Sequence, residues 1–358
     1  MDKPFPFLKV EGTHFEIGQQ IGSTFQSQIK KFIKIIIGTM PIAEAKKRAA
    51  VYLPSLSKHC PHLLEEVKGV ADGAGITLEE ALIPNLRSAI EYAGGCTAYV
   101  IDRKHTANGE LLIGQNQDLP ASMQDVGVVL HIAAKGEREI LMWTFAGLLA
   151  YHGINDAGLG FFCNALPQPP KSSPFSAKNI LPGYLPKRLM FENEDIDGVL
   201  NLFDNLKLFT TPIGVVNYVM CDKKRIASVE LSENDYAVLN DSGKGFIAHT
   251  NHYLADKFNY LNQYKLPGLA MAPHEEDSMP RLARFNKLFE QQSKLLDLED
   301  IKSIMSDHDN YPSSICRHLP ETGDCVTVAS IIAEPEKGRM HLCPGNPCEN
   351  TFYTYEMK

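Results

Sequence analysis

A chain of 358 residues, 44% hydrophobic and 22% charged, holds enough apolar side chain for a sizeable globular core. Its formal net charge of -8, with no stretch concentrating Lys and Arg, argues against nucleic acid and against anionic lipid as partners. No apolar run is long enough to span a bilayer: the greasiest early one, residues 32–42, is broken by Lys34, Gly38 and Pro41. The opening residues 1–6 lack the apolar core of a secretory signal. The eight cysteines are scattered rather than dense, so a cytoplasmic protein with free thiols is expected.

The first 95 residues read as helical. Between His14 and Ile37, the residues Phe15, Ile17, Ile21, Phe25, Ile29 and Phe32 recur at helical spacing. Pro61 opens a second segment with Leu63, Leu64, Val67 and Val70 on one face, and Gly73 and Gly75 are expected to end it. Thr77 then precedes Leu78-Glu79-Glu80, an N-cap with acidic residues in the first turn. After Cys96 short β-rich runs alternate with turns, at residues 110–114, 127–133, 139–145, 158–164, 215–221, 226–231, 236–239, 245–253, 326–333, 339–342 and 351–356. Helical patterns interrupt them near 196–206, 279–292 and 298–306, and the Pro-rich stretch 167–186 reads as a long surface loop. The change of texture near residue 95 fits two domains, or one domain whose helical part covers a sheet core.

The most informative local sequence is Gly94-Gly95-Cys96-Thr97. A cysteine opening a strand is ordinarily packing, but the glycines alter that balance. Gly95 lacks a Cβ, so its peptide can take strained dihedrals and leave its carbonyl open to the adjacent thiol. A chain released before Cys96 would hold a nucleophile and its own base on one residue. An α-amine titrates near ~7.7–8.0 and a thiol near ~8.5, so the amine can take the thiol proton at neutral pH. His249 and His252 flank Asn251, and His308 lies downstream. On a strand, positions 249 and 252 point to opposite faces, so hydrogen-bonding histidines are expected rather than metal ligands. Cys343 and Cys348 frame Pro344-Gly345-Asn346-Pro347, which reads as a turn between strands, because no second cysteine pair follows. Neither a metal nor a cofactor is expected.

Taken in chain order, a longer series of motifs appears: residues 12–18, 61–75, Asn85-Leu86-Arg87, Gly95-Cys96-Thr97, 114–118, 153–158, 248–252, Asp277-Ser278 with Arg281, and 309–317. In this order they resemble the acyl-coenzyme A:isopenicillin-N (6-aminopenicillanate) acyltransferase family of cysteine N-terminal-nucleophile (Ntn) hydrolases. The resemblance implies an α+β fold, a four-layer αββα sandwich with two mainly antiparallel sheets, formed as a single domain over residues 1–358. It also implies autocleavage at Gly95–Cys96 into a helical light chain (1–95) and a sheet-rich heavy chain (96–358). Cys96 is then the nucleophile, Asp118 and Asn251 complete the catalytic centre, and Arg87, Asn116, Ser314 and Arg317 support it. Asn251 would donate to the oxyanion, and Asp118 would orient the Cys96 amine.

The implied activity is hydrolysis of a small N-acyl amine or N-acyl amino acid through an acyl-enzyme on Cys96. An acyl-CoA-dependent N-acyltransferase is the alternative, disfavoured because only small basic groups are available to meet the phosphates of CoA. A metal-dependent hydrolase using His249, His252 and His308, or an uncleaved binding protein on the same scaffold, are the readings from other classes. The partner is a small-molecule amide or acyl-CoA, with neither nucleic acid nor membrane. The sequence does not determine the oligomeric state.

Overall fold

The computed structural model describes residues 3–89, 95–169, 181, 184–206, 216–232, 235–264, 274–319 and 325–357. It opens with β1 (Phe7–Gly12), which the hydrophobic pattern misses because Val10 is its one fully buried residue. Thr13 and Glu16 close a capping box that starts α1 (His14–Thr24). The backbone turns out of helical geometry at Phe25, so α2 (Gln26–Ile37) is a separate helix where apolar spacing predicts one continuous run. Two further helices, α3 (Ile42–Ala50) and α4 (Leu53–His59), precede α5 (Pro61–Ala74) and α6 (Leu78–Leu82). Gly75 ends α5 in the left-handed region at φ 61°, as its position predicts. Gly73 does not: it lies inside α5, on the face that meets α1. The two helices touch backbone to backbone. A Cβ on Gly18 would sit 2.0 Å from the Glu66 carbonyl oxygen, and one on Gly69 would sit 2.0 Å from that of Phe15.

The strands of the second part are β2 (Cys96–Ile101), β3 (Leu112–Pro120), β4 (Gly127–Ala134), β5 (Glu139–Phe145), β6 (His152–Asn155) and β7 (Gly160–Ala165). Then come α7 (Leu185–Phe191), α8 (Ile196–Leu206), β8 (Val216–Cys221), β9 (Ile226–Leu231), β10 (Tyr236–Leu239) and β11 (Phe246–His249). The chain closes with α9 (Ser278–Glu290), α10 (Leu298–Met305), β12 (Cys325–Glu334), β13 (Arg339–Pro344) and β14 (Tyr353–Glu356). Part of the expected loop 167–186 is α7; residues 170–180 and 182–183 of it lie outside the described residues.

Among the described residues the strands form two sheets, an eight-stranded one ordered β1-β4-β5-β6-β7-β8-β9-β10 and a six-stranded one ordered β11-β2-β3-β12-β13-β14. Every pairing is antiparallel except β1 with β4. The sheets face each other where β2 and β3 lie on β7 and β8. Alternation along β2 shows the layering: Ala98 and Val100 join the core between the sheets, while Tyr99 and Ile101 pack with Phe285 of α9 and Ile301 of α10. On the far side α1 lies against β1, Phe191 of α7 against Phe161, and Phe203 of α8 against Tyr218. The order helix, sheet, sheet, helix is the expected αββα arrangement.

Candidate active site

Cys96 is the first residue of β2, and the parity of Ala98 and Val100 turns its side chain toward the opposite sheet. The thiol is 3% exposed and accepts a hydrogen bond from Gln117 Nε2 at 3.2 Å. Its backbone is gripped from three sides. The Cys96 N–H donates to Asn251 Oδ1 at 2.9 Å, and the Cys96 carbonyl accepts from Arg281 Nη1 at 2.7 Å and Asn164 Nδ2 at 3.2 Å. One residue earlier, the Gly95 carbonyl accepts from the Asp118 N–H at 2.9 Å.

Asn251 sits just past the end of β11. Its N–H donates to Ser278 Oγ at 2.7 Å, and its Nδ2 to the Ala165 carbonyl at 3.0 Å. Arg281, on α9, reaches Asn251 Oδ1 through Nη2 at 2.8 Å and Asp277 Oδ1 through Nε at 2.8 Å. Arg317 Nη2 meets the same Asp277 oxygen at 2.6 Å, and Arg317 Nε lies 3.4 Å from Asp118 Oδ2. Thr327 Oγ1, paired across from Asp118 beside a bulge in β12, donates to Asp118 Oδ1 at 2.7 Å. Two buried carboxylates therefore face two buried guanidinium groups, which is the condition for carrying charge in a dry interior.

Burial, reinforced by Asp118 and Cys163, holds the Cys96 thiol well above its ordinary pKa, and Arg281 only partly opposes this. Burial also raises the Asp118 carboxyl despite Arg317, Arg281 and the Thr327 hydroxyl. At Asp277 burial acts in the same sense but loses, since Arg281 and Arg317 together hold it below the usual carboxylate range.

Gly95, Cys96, Asp118, Asn251 and Arg317 thus fall in one network. The group on the Cys96 nitrogen is the Asn251 oxygen, while the Asp118 carboxylate is engaged by Arg317 and Thr327. Asn116 turns to the other face of β3 and donates to the Met305 and Ile315 carbonyls at 2.8 and 2.9 Å, tying down α10 and the 314–317 segment. Ser314 Oγ donates to the Cys316 carbonyl at 2.6 Å and shapes that turn. The Arg87 side chain lies outside the described residues. Sequence reasoning placed Asp277, Arg281 and Gln117 in motifs without giving them a role, and it did not single out Thr327 and Asn164. The first two carry a readable signal, opposite charges four apart at the start of an amphipathic helix. The others carry none, because only sheet register brings them to Cys96.

The histidines beside Asn251 are hydrogen-bonded to different partners. His249 Nε2 meets Glu230 Oε1 at 2.8 Å, and His252 Nδ1 meets Ser278 Oγ at 2.7 Å. Burial, with His249, His274 and Arg281 nearby, pushes His252 down to about 3, so it stays neutral. A cavity of about 330 Å3 is lined by Pro167, Gln168, Tyr253, Phe258, Tyr260 and Tyr264 among others. Lys257 in its wall is neutralised by Asp235 at 2.7 Å. Among the described residues no helix is long and apolar enough to cross a membrane.

The chain is 26% identical to an acyl-coenzyme A:6-aminopenicillanic-acid-acyltransferase of Emericella nidulans, over 96% of this chain and 95% of that one. It is 28% identical to a β-alanyl-dopamine/carcinine hydrolase of Drosophila melanogaster over 32% of this chain and 33% of the relative. A conjugated bile acid hydrolase from Clostridium perfringens superposes with a TM-score of 0.48 at 15% identity, over 74% of this chain and 97% of that one. A penicillin V acylase from Agrobacterium tumefaciens gives 0.44 at 12%, over 70% and 83%. A sequence model of the acyl-coenzyme A:6-aminopenicillanic acid acyl-transferase family matches residues 105–349, and the chain belongs to that family.

Proposed function

We propose that the protein is a self-processing cysteine amidohydrolase, one domain cut at Gly95–Cys96 into chains 1–95 and 96–358. The observation that carries this reading is the grip on the peptide before Cys96: Asp118 N–H on its carbonyl, Asn251 Oδ1 on its N–H, and a buried thiol next to it. Attack of Cys96 Sγ on the Gly95 carbonyl carbon puts negative charge on an oxygen that already faces an amide donor. Collapse breaks the C–N bond, the Cys96 nitrogen takes the thiol proton, and water then hydrolyses the thioester to a carboxylic acid. The freed amine keeps Asn251 as its acceptor. It serves as base when the same sulfur attacks a substrate amide, the leaving amine takes the proton, and water releases the acid.

Burial keeps the thiol protonated in the uncut chain, so the first attack passes its proton directly to the departing Cys96 nitrogen; the amine that serves as base in turnover exists only after cleavage. One relative is named as an acyltransferase and another as a hydrolase of β-alanyl-dopamine and carcinine, and transfer and hydrolysis share an acyl-enzyme. The aromatic cavity with its neutralised lysine favours a small N-acyl amine or N-acyl amino acid over the phosphates of acyl-CoA. Eight free thiols fit a reducing, cytoplasmic setting.

Intact mass under denaturing conditions tests the reading. Wild type should give two fragments, the heavier beginning Cys96-Thr97, and Cys96→Ala should stay whole and inactive. A Cys96→Ala protein cut at the same bond would show that Cys96 is not the agent. Adding amines, with and without acyl-CoA, then shows whether product is diverted from free acid.

A further inference from the structure

Four side chains that the Cys96 network does not use meet behind it. His308 Nε2 lies 2.9 Å from His318 Nε2, His318 Nε2 lies 3.3 Å from Cys348 Sγ and 3.9 Å from Cys316 Sγ, and the two sulfurs are 3.6 Å apart. All four ligating atoms fall within 4.8 Å of one another. We propose that His308, Cys316, His318 and Cys348 form a tetrahedral zinc site.

The geometry and the donor set agree. With Zn–S near 2.3 Å and Zn–N near 2.0–2.1 Å, a tetrahedron has edges of roughly 3.3–3.8 Å between its ligand atoms. Four of the six edges run from 2.9 to 3.9 Å and the other two lie within 4.8 Å, so small side-chain shifts bring the four atoms onto that tetrahedron. The sulfurs are much farther apart than the ~2.05 Å of a disulfide. Outer groups are in place as well. Glu349 Oε1 lies 3.7 Å from His318 Nδ1, longer than a hydrogen bond but within reach of the carboxylate–histidine pairing that orients a metal-bound imidazole. Asn346 Nδ2 faces Cys316 Sγ at 3.4 Å and donates to the Arg317 carbonyl at 2.8 Å. His308 and Cys348 are exposed and give the ion a way in. On binding, two thiols release their protons to solvent, and two Zn–S and two Zn–N bonds form. Two thiolates and two neutral imidazoles balance the dication. Four protein ligands leave no open position, so the site is structural.

Its consequence lies in the connection. Arg317 stands between ligands Cys316 and His318, and it is the residue that holds Asp118 and Asp277. Zinc would staple this segment, which has little regular structure, to the turn between β13 and β14 that carries Cys348. The sequence reading took the Cys343–Cys348 segment as a turn between strands; the cluster contains Cys348 but not Cys343. The partner of Cys348 is Cys316, too distant in the chain for spacing to reveal.

The test is metal content in the full chain, with Cys96→Ala measured alongside so that the result does not depend on cleavage. After growth with added zinc and dialysis against a weak chelator, about one zinc per chain is expected. Cys348→Ser and His308→Ala, both at exposed positions and checked for folding by circular dichroism, should each keep less than about a tenth of that. Cobalt exchange should give thiolate-to-metal absorption and strong tetrahedral bands. Wild type without zinc and without the cobalt spectrum overturns the proposal. So does zinc undiminished in both variants, or a Cys316–Cys348 disulfide in the mapped protein.

Discussion

Asn251 Oδ1 takes two donors, the Cys96 N–H and Arg281 Nη2, so in the proposed reaction it would act as an acceptor at the Cys96 nitrogen rather than as an oxyanion donor. A buried hydrogen bond to a charged group is worth roughly 1.5–3 kcal/mol, so Asn251→Ala should slow both cleavage and turnover by roughly 10–100-fold. Turnover should be measured on chains 1–95 and 96–358 made separately, because the same change impairs cutting. Asn251→Asp keeps the acceptor and should cut faster than the alanine variant; equal rates would return Asn251 to the oxyanion role. The sequence brings Asn251 and Cys96 under suspicion together through motif order. It does not show which atom of Asn251 faces Cys96, because that depends on where β11 ends and on the Ser278 and Ala165 contacts that fix the amide.

Among the elements, the contact of α1 with α5 rests on glycines that a helical wheel would class as weak points. Gly69→Ala places a methyl carbon against the Phe15 carbonyl, a backbone atom that cannot turn aside. The helices must part, and stability in urea should fall by about 1–3 kcal/mol or somewhat more. A loss under 0.5 kcal/mol, about what an ordinary surface change gives, would mean that the helices slide freely. The same helices share a charged cluster with the later chain. His14 of α1 meets Glu66 of α5 and Glu137 of the β4–β5 turn, both at 2.8 Å, and buried Arg188 of α7 lies 3.7 Å from each carboxylate. Burial disfavours the His14 charge, but the Glu137 and Glu66 hydrogen bonds outweigh it and raise His14 to about 9. With the folded pKa above the unfolded 6.5, this stability is full below pH 6.5 and is lost as pH rises through about 9. His14→Ala should therefore cost roughly 3 kcal/mol at pH 6 and much less at pH 10. Urea melts at the two pH values check it, and equal losses would rule out a charged His14.

For the whole molecule, the proposed cut falls between parts that are interleaved rather than adjoined. β1 pairs in parallel with β4 over six residues, the rings of Phe32 of α2 and Phe145 lie tilted with centres 5.3 Å apart, and Tyr355 Oη donates to the Phe5 carbonyl at 3.0 Å. One core cluster runs from α1 and α2 through both sheets. Chains 1–95 and 96–358 should therefore elute together under native conditions and separate only in denaturant; early separation would mean that the contacts across the cut are weak. The sequence by itself determined the helical and sheet-rich halves, the cap at Thr77, the stop at Gly75 and the candidate cysteine at 96. Each of these is local, set by side-chain periodicity and by backbone freedom within a few residues. Tertiary structure alone decided that Gly73 packs rather than terminates, and that polar Gln115 to Asp118 lies in the middle of a buried strand. It also decided that Asn251 rather than Asp118 holds the Cys96 nitrogen, and that Cys316 meets Cys348. Those outcomes turn on distances of a few ångströms between residues far apart in the chain, which strand register, helix docking and loop closure set together.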